Sequence, residues 1–261
     1  MAHEPVCIKI GGATLDDPDI LSRLCDNIDA VRHEGHPVVV VHGGGKDIKK
    51  QLDMLDKPFT FVQGMRVTDA QTLLQVQMVL CGDVNKRLVN AFLCRDIPAA
   101  GLSGIDNDTI IARRMYVDGQ DIGFVGEVHE VNPTLIDTLL SHAITPVVAP
   151  VSRGSDGHIY NVNADVAAAR IARACRARAL VYISNVPGVY IDGEVVTHIA
   201  PEEIEALIAR GEVHTGMIPK LRSAADALAH GVGRVCMCDL ASSHHIVQLL
   251  HGQDAGATTI R

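Results

Sequence analysis

The chain has 261 residues, 47% of them hydrophobic, enough for one large domain or two lobes around a substantial core rather than a disordered chain. Its formal net charge is -8 with no basic run, which argues against a nucleic-acid binder, whose affinity rests on clustered Lys and Arg. No apolar run reaches the ~18–20 residues of a bilayer span, Met1-Ala2-His3-Glu4-Pro5 lacks a signal peptide's basic and apolar regions, and seven scattered cysteines point to reduced thiols in the cytoplasm.

The first expected element is a short strand, Cys7-Ile8-Lys9-Ile10, ending at Gly11 and Gly12. A lysine inside an apolar run is costly unless it points into a polar cleft or meets an anion; the alternative is an edge strand with Lys9 solvated. Asp17-Pro18-Asp19 opens a helix whose apolar face is Ile20, Leu21, Leu24, Ile28 and Val31, and Gly35 ends it. Val38-Val39-Val40-Val41 then reads as a strand buried on both faces, as in a parallel sheet. It runs into His42-Gly43-Gly44-Gly45 and a helix marked by Ile48 and Leu52. Strand, glycine loop and helix N-terminus together present backbone N–H groups to an anion, or form only a tight turn. In an acidic protein that handles an anion, positive charge must be gathered locally, so lysines and arginines near glycine loops matter most.

Residues 59–68 read as extended or loop, with Arg66 beside Gly64. Arg66 is either an ordinary surface residue or a fork for a carboxylate. Thr68 or Asp69 caps a helix over 70–94, with Leu73, Val76, Leu80, Val84 and Leu88 on one face. A strand at 97–102 ends in Gly101-Leu102-Ser103-Gly104, and 106–131 reads as a hairpin turning at Asp118-Gly119. Pro133 starts a short helix and 145–150 is the next buried strand. This succession gives an open α/β sheet with helices on both faces. Ligands sit at the carboxyl ends of such strands, with the glycine loops after Ile10, Val41 and Ala100 along one edge.

Asn161, Asn163 and Asp165 alternate ahead of an alanine-rich helix; either Asn163 or Asp165 is simply its N-cap, or the three converge on a site, since three polar groups exceed what a cap needs. A buried strand at 179–183 leads into the loop Ser184 to Tyr190, and a helix over 201–211 follows. Gly216 and Lys220 open a helix that runs to 230 on Leu221, Ala224, Ala225 and Leu228. A lysine so early opposes the helix dipole, which makes this a second anion candidate. Strands at 235–237 and 258–260 flank a helix at 245–251. His244-His245 reads as a surface pair, and Cys236-Met237-Cys238 as a buried strand, since no second pair has zinc spacing. Two lobes meet near 175–180.

Two lysines, one aspartate and several glycine loops suit phosphoryl transfer, where protein groups position the reactants and spread charge. GxxxxGK[ST] is absent, as is GxGxxG after a strand. An esterase oxyanion loop needs a GxSxG elbow, and Gly101-Leu102-Ser103-Gly104-Ile105 fails at its last position.

From Lys9 to about Ile260 the chain resembles the amino acid kinase family. The resemblance is carried in order by Val41-His42-Gly43-Gly44-Gly45, Gly64-Met65-Arg66-Val67-Thr68-Asp69, Gly82-Asp83-Val84-Asn85-Lys86, Gly123-Phe124-Val125-Gly126, Asn161-Val162-Asn163-Ala164-Asp165 and Gly216-Met217-Ile218-Pro219-Lys220. It implies a three-layer αβα sandwich on a mainly parallel eight-stranded open sheet. It also implies a lobe over 1–177 for the acyl amino acid and dimerisation, and a lobe over 178–261 for ATP. By resemblance, Gly44, Gly45, Arg66 and Asn161 hold the substrate. Lys9 and Lys220 stabilise the moving phosphoryl group, and Asp165 orients both. Gly11, Gly12, Ser184, Asn185, Val186, Pro187, Gly188, Val189, Tyr190, Val213, His214, Gly216 and Met217 contact the nucleotide, which carries Mg2+, with no metal site on the protein.

The implied reaction phosphorylates the side-chain carboxylate of N-acetyl-L-glutamate, a step of arginine biosynthesis. The alternative acceptor is an aminoadipate or glutamate linked to a carrier protein. Ser184-Asn185 stands where Thr-Asp is usual in the family, and similar wording occurs in the carrier-dependent kinases. Lys9 lies only eight residues from the start, where arginine-controlled members carry an extra helix, so a homodimer without arginine feedback is expected.

Overall fold

In the computed structural model, which describes residues 4–11, 17–213, 215–253 and 255–261, the strand β1 (Val6–Ile10) is buried along its whole length. The chain continues through α1 (Pro18–His33), β2 (Val38–His42), α2 (Gly45–Met54), and the short strands β3 (Phe61–Val62) and β4 (Met65–Arg66). Next come α3 (Ala70–Gln77), a π-helical segment (Met78–Val84), α4 (Asn85–Leu93), β5 (Ala99–Ser103), β6 (Ile110–Val117) and β7 (Gln120–Val131). Then follow α5 (Thr134–Ser141), β8 (Thr145–Ala149), β9 (Val151–Gly154), β10 (Ile159–Val162) and α6 (Ala164–Ala174). The remainder is β11 (Ala179–Ile183), β12 (Val189–Ile191), β13 (Glu194–Val196), β14 (His198–Ile199), α7 (Ile204–Ala209), α8 (Ile218–Ala229), β15 (Val235–Cys238), α9 (His245–Leu250) and β16 (Thr258–Ile260).

Successive strand side chains point to opposite faces, and here both faces are apolar. Val6, Ile8, Ile10, Val38 and Val40 pack on one side, against Leu24 and Ile28 of α1, Leu52 of α2, Leu88 of α4 and Ile246 of α9. Cys7, Val39, Val41, Leu180 and Tyr182 pack on the other, against α5, the alanines of α6, α7 and α8. The result is three layers. The eight-stranded sheet has the order β14-β16-β15-β11-β1-β2-β8-β5, parallel except for the β15–β16 pair. The strand order turns at β1, with β2 and β11 on either side, so a crevice opens at the carboxyl ends there.

Three expectations need correction. The helix over 70–94 is interrupted by a π-helical segment. Val76, Leu80, Val84 and Leu88 recur every four residues, and on a helix of ~3.6 residues per turn each step drifts by about 40°. A wider turn takes up that drift and keeps all four buried. Second, Gly101 lies inside β5 rather than in a loop, and what it provides there is space, since a Cβ would overlap the Asn85 side chain. Gly11 and Gly43, which follow the paired residues Ile10 and His42, do adjoin. Third, His245 is buried at the start of α9, where its Nδ1 accepts from the Ala241 N–H at 2.9 Å; only His244 is exposed. The hairpin expected over 106–131 does form, as β6 and β7 joined at Asp118-Gly119, and it is half of a closed four-stranded barrel, β10-β7-β6-β9. Among the described residues no helix is long and apolar enough to cross a membrane.

Candidate active site

Lys9 is the fourth residue of β1 and shares its side with Cys7, so it faces the layer of α6 and α8. It is only 8% exposed. Its Nζ lies 2.6 Å from Asp165 Oδ1. Asp165 is fixed by local structure: Asn163 caps α6, its side chain accepting from the N–H of Asp165 (2.8 Å) and Val166 (3.2 Å). The Tyr182 hydroxyl of β11 donates to the Asp165 carbonyl at 3.2 Å. From the first turn of α8, Lys220 Nζ donates to Asp165 Oδ2 at 2.9 Å. Lys9 and Lys220, 211 positions apart in sequence, thus meet on one carboxylate. Burial pushes the Asp165 carboxyl up, but the two ammonium groups outweigh it and hold it below the ordinary carboxylate value. Two cations on one anion leave a net positive charge, a setting for a further anion.

A cavity of about 220 Å3 lies beside this cluster, lined by Lys9, Gly43, Gly44, Gly45, Arg66, Asn161, Asn163 and Asp165 among others. The glycine loop behaves as its sequence suggests. Gly44 is the N-cap of α2 and has no side chain to accept from the first-turn N–H groups. A Cβ on Gly44 would lie 2.5 Å from Leu80 Cδ2 and 3.3 Å from Val84 Cγ2. Arg66 comes from the hairpin β3–β4, whose Gln63-Gly64 turn has φ of 46° and 79°, as two-residue hairpins prefer. Its guanidinium lies 4.4 Å from the Phe59 ring centre and 4.8 Å from that of Phe61. Nη2 donates to the Gly45 carbonyl at 3.2 Å, while Nη1 is buried and has no hydrogen-bond partner among the described residues. Such a donor costs about 1–3 kcal/mol until an acceptor arrives. Burial pulls the Arg66 pKa down and Asp53 opposes it, yet arginine stays charged in proteins. Asn161 reaches the same cavity from the barrel, its Nδ2 3.4 Å from Thr68 Oγ1.

A second cavity, about 560 Å3, adjoins the first through Lys9, Gly45, Phe61 and Arg66. It extends past Gly11 and Lys220 to Ser184 and Asn185. Ser184 stiffens that loop, its hydroxyl donating to the Val186 carbonyl at 2.9 Å and accepting from the Val186 N–H at 3.1 Å. Val186, Pro187, Gly188, Val189 and Tyr190 run on without lining either cavity. Val189 is buried, its N–H donating to Thr258 Oγ1 at 2.8 Å, whereas Tyr190 is exposed. Val213 is buried in the helical layer, Met217 packs half-buried against it, and Gly216 is exposed. Gly12 and His214 lie outside the described residues.

Sequence reasoning missed the two rings on Arg66 and the cations Lys46 and Lys49, which edge the second cavity. A signal existed for the rings. Phe59 and Phe61 are two of only four phenylalanines, at alternate positions of an extended segment just ahead of Arg66.

Fold and site define an α/β protein with a cationic cluster between two adjoining cavities, suited to bringing two anions together for group transfer. The sequence profile described as "Amino acid kinase family" matches residues 4–239. The chain is 42% identical over 235 residues to a protein of Chloroflexus aggregans named "Acetylglutamate kinase", covering 90% of this chain and 91% of that one. A solved structure, smu.665 from Streptococcus mutans UA159, superposes with a TM-score of 0.83 at 29% identity, covering 98% of this chain and 97% of that one. N-acetylglutamate synthase from Neisseria gonorrhoeae shares the fold at a TM-score of 0.86 and 23% identity, over 98% of this chain and 59% of that longer one. The chain belongs to the amino acid kinase family.

Proposed function

We propose that this chain catalyses transfer of the γ-phosphoryl group of ATP to the side-chain carboxylate of N-acetyl-L-glutamate, giving N-acetyl-L-glutamyl 5-phosphate for arginine biosynthesis. The observation that carries this reading is the meeting of Lys9 and Lys220 on Asp165 between two cavities. The names of its relatives supply the acyl substrate. In the first cavity Arg66 Nη1 and the N–H groups at Gly44 and Gly45 bind the amino acid's carboxylate oxygens, with Asn161 beside them. Gly11, Ser184 and Asn185 edge the nucleotide's side, with the segment at Gly216 and Met217 entering α8.

A carboxylate is already ionised at neutral pH, so the acceptor needs no general base. The difficulty is repulsion between a dianionic acceptor and a polyphosphate. Lys9 and Lys220 cancel charge on the group in flight, and Asp165 holds their ammonium groups in place. The residues fit anions, since the one buried carboxylate here is committed to lysines. Among the described residues no group of three His, Cys, Asp or Glu is placed to hold a metal. Mg2+ would arrive on the phosphates and supply further charge neutralisation there.

The substrate lobe would be 1–177 and the nucleotide lobe 178–261, in a cytoplasmic homodimer. Support for dimerisation through the first lobe is its exposed apolar side chains, Met54, Leu74, Met78 and Leu93. A second reading, a kinase for an aminoadipate or glutamate on an acidic carrier protein, is favoured by Lys46 and Lys49 beside Arg66. The test is incubation with MgATP and N-acetyl-L-glutamate in hydroxylamine, which converts an acyl phosphate to a coloured hydroxamate. Hydroxamate from the free substrate is expected. Its absence with every acylated acidic amino acid removes the reading.

A further inference from the structure

His42 ends β2 and is fully buried. Its ring nitrogens have different neighbours: Nε2 lies 3.2 Å from Asn85 Nδ2, and Nδ1 lies 3.0 Å from the Gly43 carbonyl oxygen. The Asn85 amide is oriented without reference to the histidine. Its Nδ2 donates to the carbonyls of Val147 (2.8 Å) and Leu102 (3.2 Å), and its Oδ1 accepts from Lys86 Nζ at 3.1 Å. A flipped amide would set its oxygen against two carbonyls. A carbonyl oxygen can only accept, so the Nδ1 contact with Gly43 places the ring proton on Nδ1, donating to that carbonyl; Nε2 is left unprotonated against Asn85 Nδ2, whose two N–H groups are shared among it and the two carbonyls. Gly101 makes room for this arrangement, since any side chain there would displace Asn85.

The consequence falls on the glycine loop. In a trans peptide the C=O and the following N–H point in opposite directions, and no cis peptide bond occurs among the described residues. With the Gly43 carbonyl drawn to the His42 ring, the Gly44 N–H is turned away from it. We propose that His42 is a positioning residue: pinned by Asn85, it holds the Gly43–Gly44 peptide so that the Gly44 N–H meets an anionic oxygen of the acyl substrate. This deepens the kinase reading and rests on it. Burial and Lys86 keep the ring neutral, with its pKa pushed down to about 4, so the same donor is present throughout the neutral pH range.

Two substitutions separate the ring's two bonds. An asparagine amide reaches roughly the seat of Nδ1, and a glutamine amide that of Nε2. His42→Asn therefore retains the donor to Gly43, and His42→Gln retains only the contact with Asn85. The full-length protein and both variants are assayed for kcat, for KM of N-acetyl-L-glutamate and of ATP, and for Tm. The KM for N-acetyl-L-glutamate should be at least about tenfold higher in His42→Gln than in His42→Asn, with KM for ATP differing by less than about twofold, as loss of one hydrogen bond predicts. Equal values, the reverse order, or a rise in both KM values that follows Tm overturns the proposal. If His42→Gln does not fold, Asn85→Ser, which unpins the ring, supplies the second arm. The same selective rise is expected there, and its absence overturns the proposal. A parent protein inactive on acylated acidic amino acids overturns the kinase reading instead.

Discussion

Asp165→Asn tests the site most directly, because it changes charge while keeping shape. The two lysine Nζ atoms lie 2.6 and 2.9 Å from opposite oxygens of that carboxylate. In the amide one terminal atom becomes an N–H donor, so one ammonium loses its acceptor and the site goes from one net positive charge to two. At an effective dielectric of ~20, each ion pair at such a distance is worth about 6 kcal/mol before desolvation. Desolvation cancels much of that, and breaking a buried pair typically costs about 3–5 kcal/mol. Part of this cost is met by movement of the freed lysine, and the rest is lost where the phosphoryl charge develops. We expect kcat to fall about 10²–10³-fold, or roughly 3–4 kcal/mol, with a smaller change in KM for N-acetyl-L-glutamate. The assay is steady-state ADP release, with circular dichroism and Tm confirming a folded variant. A folded Asp165→Asn protein with kcat within about fivefold of the parent would falsify the role given to this carboxylate, since so small a loss is only about 1 kcal/mol.

Three further outcomes can be measured. Arg66→Lys keeps one charge but loses the planar fork and its contacts with the rings of Phe59 and Phe61, so KM for the acyl substrate should rise about 10–100-fold with kcat little changed. Gly44→Ala drives a methyl toward Leu80 and Val84 in a filled core, and denaturant titration should show about 1–3 kcal/mol of lost stability. His42 has its pKa depressed by burial from 6.5 to about 4, so below pH 6.5 the unfolded chain takes up a proton that the folded one refuses. Its contribution is therefore complete above pH 6.5 and declines as pH falls toward 4, by about 3 kcal/mol in all. Urea midpoints at stepped pH should show this slope in the parent and lose it in His42→Asn; parallel curves would count against it.

The parts of the fold legible in the sequence were those written in local spacing. Four valines and a glycine loop placed β2 and the N-terminus of α2, and a lysine inside an apolar run marked β1 as more than a core strand. What stayed hidden depends on partners distant in sequence. The barrel strands β9 and β10 are four residues each, and their pairing with β6 and β7 leaves no periodic trace. His245 looked like half of a surface pair, because nothing in its neighbours shows that Asn27, 219 positions away from Ile246, accepts that residue's N–H and seats the helix inward. The packing of Phe59 and Phe61 against Arg66 was hidden for a similar reason, since a two-residue turn at Gln63-Gly64 had to be formed first.

The placement of Lys9 follows from parity along a five-residue strand. Its neighbour on the same face, Cys7, has its thiol 3.6 Å from the Ala168 carbonyl of α6, so that face looks toward the start of the helix bearing Asp165. A register slip by one residue would present Ile10 to Asp165 and press the lysine against the apolar side chains of α1 and α9. An ammonium is tolerable in so buried a strand only because a carboxylate waits on the correct side. That carboxylate, committed to two lysines, is not free to take a proton from a substrate. A site whose one buried acid is spent in this way can serve an acceptor that is already an anion, and on the proposed reading the acyl glutamate side chain is one.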